Sequence, residues 1–123
     1  MKIECIKILN PITGEEKPRD TWLTIGKAYH VLSITATPER GINFRIISDD
    51  GRTPILADSR QFRVISGKIP SCWVANLAEN GFIELAPRKW IRSGFWEDFF
   101  NGMQEALNDF EEERDKIKSE DGA

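Results

Sequence analysis

The sequence is poor in the side chains that carry most protein chemistry. Its 123 residues include one histidine, two cysteines and one tyrosine. Neither a Cys-x-x-Cys nor a His-x-x-x-His pair occurs, which argues against a structural zinc site. Cys5 and Cys72 stand far apart and read as small core residues. His30 lies between Tyr29 and Val31 with no nucleophile or orienting carboxylate in a local motif, and Gly-x-Ser-x-Gly is absent. It reads as a rim histidine. Gly26-Lys27 lacks the upstream glycine of a phosphate-binding loop. Asp49-Asp50-Gly51 lacks the alternating ligands of a calcium loop and reads as a turn. The adjacent carboxylates Glu15/Glu16 and Glu111/Glu112/Glu113 do not supply two carboxyls spaced across a cleft. On these grounds the chain is read as a non-enzyme that needs no metal or cofactor.

Long apolar runs are missing as well. No stretch approaches the ~18 apolar residues of a membrane span. The start, Met1–Ile8, is charged every few residues and does not read as a signal peptide. There is no Asn-x-Ser/Thr site, and two cysteines without an export signal read as reduced thiols. The expected compartment is the cytoplasm, with no membrane partner. At ~150 residues per domain the length allows about one domain. Hydrophobic residues at 40% and charged residues at 30% are ordinary for a globular chain.

What is present is unevenly spread. Fourteen basic and ten acidic side chains over residues 1–93 give +4; three basic and ten acidic over 94–123 give −7. A weakly basic body thus carries an acidic tail. The body reads as strands. Residues 2–9 are β-rich, with a parity shift between Cys5 and Ile6 that suits a bulge or an edge. A polar loop from Asn10 to Pro18 follows. Lys27–Thr35 and Ile42–Ser48 read as strands, the second with Phe44 and Ile46 on one face. Asp49–Arg52 forms a tight turn, and Pro54 marks residues 53–57 as an edge. Gln61–Ile65 is another short strand. Cys72–Glu79 and Phe82–Ala86 flank Asn80-Gly81, a dipeptide suited to the positive φ angles of a type I′ turn.

The tail reads as helix. Trp96, Phe99, Phe100, Met103, Leu107 and Phe110 recur at helical spacing, which predicts a short helical turn at 95–100 and a helix over 102–117. Asn101 and Gln104 resemble a capping box. Residues 119–123 read as a disordered tail. The expected fold is mainly β with a C-terminal α-helix. It is a small bent antiparallel sheet or SH3-like barrel over residues 1–118, covered by an amphipathic helix at about 95–117.

Two sets of residues are candidates for binding. Seven of the twelve aromatics lie between Phe82 and Phe110, more than one helix face buries, so Trp90 and Trp96 are candidate interface anchors. With them go the acidic residues Asp109, Glu111, Glu112 and Asp115, suited to a basic protein partner. Arg40, Arg45, Arg52, Arg60 and Arg63 interleave with Phe44 and Phe62, the mixture of cations and rings used on single strands. The overall acidity opposes a phosphate partner.

Leu23–Val31, the Asp-Asp-Gly turn, Ile69–Trp73 and Gly94–Phe100 together resemble a group of small bacterial SH3-like-barrel proteins with a C-terminal helix. Some of these are immunity proteins that neutralise interbacterial toxins. The likeness spans about residues 22–110, leaves out the strand at 2–9, and carries no catalytic residue. It implies a cytoplasmic protein-binding module whose partner is a cognate toxin. The alternative is an Sm- or OB-like small barrel that binds nucleic acid.

Overall fold

The computed structural model describes residues 1–122. Its strands are short because polar turns and buried corners interrupt every apolar run. β1 (Lys2–Cys5) and β2 (Ile8–Leu9) divide the N-terminal run where its parity shifts. β2 forms a small hairpin with β3 (Glu16–Lys17), inside the segment expected to be a loop. β4 (Ala28–His30) and β5 (Ser33–Thr37) divide the strand expected over Lys27–Thr35. Between them Val31 and Leu32 are wholly buried. The Val31 N–H donates to the Met1 carbonyl and the Leu32 N–H to the Arg45 carbonyl, so the chain changes sheets at this corner.

β6 (Gly41–Ile47), β7 (Pro54–Asp58), β8 (Phe62–Ser66), β9 (Trp73–Leu77) and β10 (Ile83–Pro87) complete the strands. A five-stranded antiparallel sheet has the order β7-β6-β5-β10-β9, and a three-stranded one the order β4-β1-β8. β7 is an edge, as Pro54 requires. The fold is therefore mainly β with C-terminal helix, but no closed barrel forms among the described residues. β7 and β9 are left as free edges of the larger sheet.

One face of that sheet packs on the smaller sheet: Phe44 meets Phe62 edge-on at 5.9 Å, and Phe62 meets Tyr29 at 6.2 Å. The other face receives three helices, α1 (Arg88–Ile91), α2 (Phe95–Phe100) and α3 (Gln104–Glu120). Trp90 of α1 stacks on Phe110 at 5.1 Å and on Phe95 at 6.3 Å. α1 was not expected from the sequence. The buried residues of α3 are Ala106, Phe110, Glu113 and Ile117, whereas Phe100 and Met103 of the expected stripe are each 56% exposed. Gly102, at φ 76°, breaks the helix and rotates that stripe. The expected capping box does not form: Met103 stands at the N-cap with no side-chain bond, and Gln104 donates instead to Asn108 Oδ1 at 2.8 Å.

Asn80 (φ 64°) and Gly81 (φ 77°) have the positive φ values expected of the hairpin. The loop is one residue longer than a type I′ turn, because the Ala78 N–H donates to the Phe82 carbonyl at 3.0 Å. α3 runs to Glu120, two residues into the segment read as a loose tail. The Glu120 carboxylate accepts from the Ser71 N–H at 2.8 Å. Asp121 accepts from the Met1 ammonium and pairs with His30 Nδ1, each at 2.7 Å. Ala123, the last residue of that expected tail, lies outside the described residues. No described helix is long and apolar enough to cross a membrane.

Candidate functional site

Side chains alternate across a strand, so β6 sends Phe44 and Ile46 to one face and Asn43 and Arg45 to the other. The register sets Arg45 beside Ser33 of β5 and Leu56 of β7. One step along, Asn76, Glu84, Thr35, Asn43 and Asp58 form a polar row across all five strands. Helices cover only part of this face. The rest is a groove of about 690 Å³, with Thr35, Asn43, Arg45 and Glu84 in its floor and Phe82 and Trp96 in its walls. It adjoins a trough of about 860 Å³ that passes Trp22, Ile12 and the Asp58–Arg60 pair. The two share Glu39, Arg40, Asn43 and Leu56.

Arg45 is the unusual residue of the floor. It is 8% exposed, and its guanidinium carbon lies 3.9 Å from the centroid of the Trp96 ring. Stacking of this kind is attractive because the ring face is negative. Among the described residues the guanidinium makes no ion pair within 4.0 Å, and its Nε is buried without an acceptor. Burial pulls its pKa down to about 10, only partly opposed by the charge of Glu84. A buried cation is ordinarily paired, because leaving it alone forfeits its hydration without return. Glu84 is better provided for. Burial pushes its carboxyl above the ordinary range, against the attraction of Arg45 and a hydrogen bond with Asn76. The unmet demand in the groove is for an acceptor at Arg45.

The candidate residues distribute as follows. Trp90 is 1% exposed, and its indole N–H donates to the Asp109 carbonyl at 3.2 Å, so it is a core residue and not an anchor. Trp96 is half-buried and walls the groove. Beside it Phe100, a residue absent from both candidate sets, is the exposed ring, 6.1 Å from Trp96. The acidic helix is largely paired with neighbouring cations. Glu112 meets Lys89 at 3.1 Å and Lys116 at 3.5 Å, Asp109 lies 3.9 Å from Lys89, and Asp115 pairs with Arg114 at 3.1 Å. Glu111 is exposed.

Of the five arginines, only Arg40 and Arg45 share the groove. Arg60 is bound to Asp58 at 2.7 Å along the trough, Arg63 pairs with Glu4 on the other sheet, and Arg52 projects from the turn after β6. The site thus joins one member of the aromatic set to two of the arginine set. Glu84, Phe82 and Thr35 were missed, because only the strand register brings them to Arg45.

Another titratable cluster is tied up at the turn after β6. Asp49 accepts from Tyr29 Oη at 2.8 Å, Lys27 Nζ at 2.9 Å and Thr24 Oγ1 at 2.6 Å. Burial works against its charge, but these three donors together hold its carboxyl below the usual range. Cys5 and Cys72 are free thiols, and among the described residues no three His, Cys, Asp or Glu side chains converge as metal ligands do. No family model, curated protein or solved structure matches the chain.

Proposed function

We propose that the chain is a non-enzymatic protein-binding module that engages its partner through the groove between Trp96, Phe82 and the floor of the five-stranded sheet. The observation that carries this reading is Arg45, a nearly buried cation stacked on Trp96, with no ion pair within 4.0 Å among the described residues and with its Nε lacking an acceptor. Strained or unpaired charges held in a concave surface are features of binding sites. The exposed ring of Phe100 and the half-buried Trp96 supply an apolar lip of the kind found at interface anchors. Neutralising a toxin, the role implied by the resemblance to small SH3-like-barrel immunity proteins, is one instance. Such an inhibitor works by surface complementarity and needs no catalytic group.

A second reading keeps the groove and changes the partner. Arg40 and Arg45 lie beside two aromatic walls, a combination that suits a single-stranded nucleic acid. Glu39 and Glu84 in the same groove weigh against it, since they repel a strand that brings a negative charge at every successive phosphate.

A photo-crosslinking residue placed at Phe100 or Leu56 tests both readings in cells. The expected product is one discrete protein adduct, insensitive to nuclease. Excess wild-type chain should compete for it, and excess Arg45→Met chain should not. A nuclease-sensitive adduct would favour the second reading. Adducts that the two competitors suppress equally would place the contact elsewhere.

A further inference from the structure

The groove also specifies what it accepts. We infer that it holds an extended acidic segment of a protein partner, with one side-chain carboxylate on the free edge of Arg45 and a flanking apolar residue on Trp96 and Phe100. This rests on the reading of the groove as a protein-contact face.

Four observations lead there. First, the groove-lining Arg45 makes no ion pair within 4.0 Å among the described residues and its buried Nε has no acceptor, so an anionic acceptor at the guanidinium would offset the buried charge. Second, Trp96 lies over the guanidinium at 3.9 Å. Stacking occupies a face and leaves the edge, where donors point in the plane of the group. Carboxylates pair with arginine in that plane. Third, Glu39 and Glu84 line the same groove. They tolerate one negative charge next to Arg45 and Arg40 far better than the two of a phosphate monoester. Fourth, the groove is open-ended. It continues past Leu56 and Asn43 into the trough beside Trp22. A through-channel suits a chain that passes along it and offers a side chain, whereas a chain terminus suits a closed end.

The test uses the full chain and a synthetic array of short peptides, acetylated and amidated at their ends. The central residue is Asp, Glu, Asn, Gln or phosphoserine, with varied apolar flanks. A second array carries free C-terminal carboxylates. Bound sequences are then titrated in solution against the wild type, Arg45→Met, Arg45→Lys and Arg40→Glu, with indole N–H resonances followed by NMR. The expected result is binding of Asp and Glu peptides at least about ten-fold tighter than their Asn and Gln counterparts. The Trp96 indole signal should move while that of Trp90 stays. Arg45→Met should erase the preference for the acid, and Arg45→Lys should restore part of it. Arg40→Glu, an exposed change that spares the core, should weaken acidic peptides several-fold at low salt and less at high salt.

Several results would overturn the inference. Binding indifferent to the carboxylate would remove it while leaving the protein-binding reading in place. Binding that requires only a free C-terminus would replace the side chain by a chain end. Preference for phosphoserine would replace carboxylate by phosphate. A silent array removes the inference; if single-stranded oligonucleotides shift Trp96 instead, the protein-binding reading falls with it.

Discussion

Replacing Arg45 by methionine should make the protein more stable, and that sign separates a binding residue from a structural one. Methionine fills a similar volume, keeps an unbranched stem against the Trp96 ring, and needs no counter-ion. Arg45 is 8% exposed in the wild type, and its pKa is drawn well below the ordinary arginine range to about 10, chiefly by burial. At 1.36 kcal/mol per unit, that depression corresponds to roughly 3 kcal/mol of penalty on the charged form in the folded chain. Stacking on Trp96 returns about 1–2 kcal/mol in a desolvated setting, and the change to methionine gives that up. The net expectation is a gain of about 1–2 kcal/mol, within the range seen when buried charges are replaced by apolar residues. Urea unfolding should show a higher midpoint with unchanged slope, and the melting temperature should rise by about 3–6 °C. Lysine at the same position keeps the charge and loses the planar stack, so Arg45→Lys should fall below the methionine variant. A loss of more than about 1 kcal/mol in Arg45→Met would refute the reasoning. The guanidinium would then be a member of the core held through Trp96, and the groove would have no unmet demand.

The other expectations are briefer. Gly81→Val should cost about 1–3 kcal/mol, since Gly81 has φ 77° and a Cβ there would lie 3.1 Å from Pro38 Cγ; an unchanged urea midpoint would count against it. Phe110→Ala should cost about 3–5 kcal/mol, whereas Phe100→Ala should stay within about 0.5 kcal/mol and act on binding alone, by the same measurement. Reversing Glu111, Glu112 and Asp115 to Lys should leave the affinity for groove peptides unchanged, and a ten-fold loss would move the contact to α3. Asp121→Ala should cost about 1.5–3 kcal/mol at neutral pH, because its nearly buried carboxylate bonds both the Met1 ammonium and His30 Nδ1. Burial raises the pKa of that carboxyl, but its bonds to the Met1 ammonium and His30 prevail and hold it below 3.8. Its contribution is therefore complete above about pH 4 and lost as pH falls through the folded value, so the variant and the wild type should converge in acid.

Much of the fold was legible in local chemistry. Asn80-Gly81 announced positive φ, Pro54 announced an edge, and the tail announced helix. Each of those signals acts over a few residues. The errors lie where two local signals compete or where a distant element decides. Val31 and Leu32 continue a β-rich run, yet burial of both forces a corner, and one expected strand becomes two in different sheets. Gly102, placed at the start of the expected 102–117 helix, adopts φ 76° instead. It ends α2 and resets the helical phase, so Phe100 and Met103 turn outward and Ile117 turns in. The C-terminal residues look solvated by composition, but Glu120 meets Ser71 and Asp121 meets His30, partners about fifty and ninety positions away. No window of sequence contains such contacts.

The candidate site was legible only in halves, and the halves were filed under opposite functions. Trp96 belonged with the acidic helix and a basic protein partner; Arg45 belonged with the strands and a nucleic acid. Each reading was reasonable for its own segment. In the fold their side chains are stacked, and this contact changes the meaning of both. Arg45 ceases to be a solvated cation that any phosphate can neutralise and becomes a nearly buried fork set against the Trp96 ring. Trp96 ceases to be a free hydrophobic anchor and becomes the plate that holds the fork in place. On α3, Lys89, Lys116 and Arg114 already pair with Asp109, Glu112 and Asp115, while Glu111 is exposed. Charge complementarity therefore runs opposite to the direction that composition suggests. An acidic chain presents a nearly buried cation with no ion pair in its groove, and the proposed partner brings a carboxylate to it.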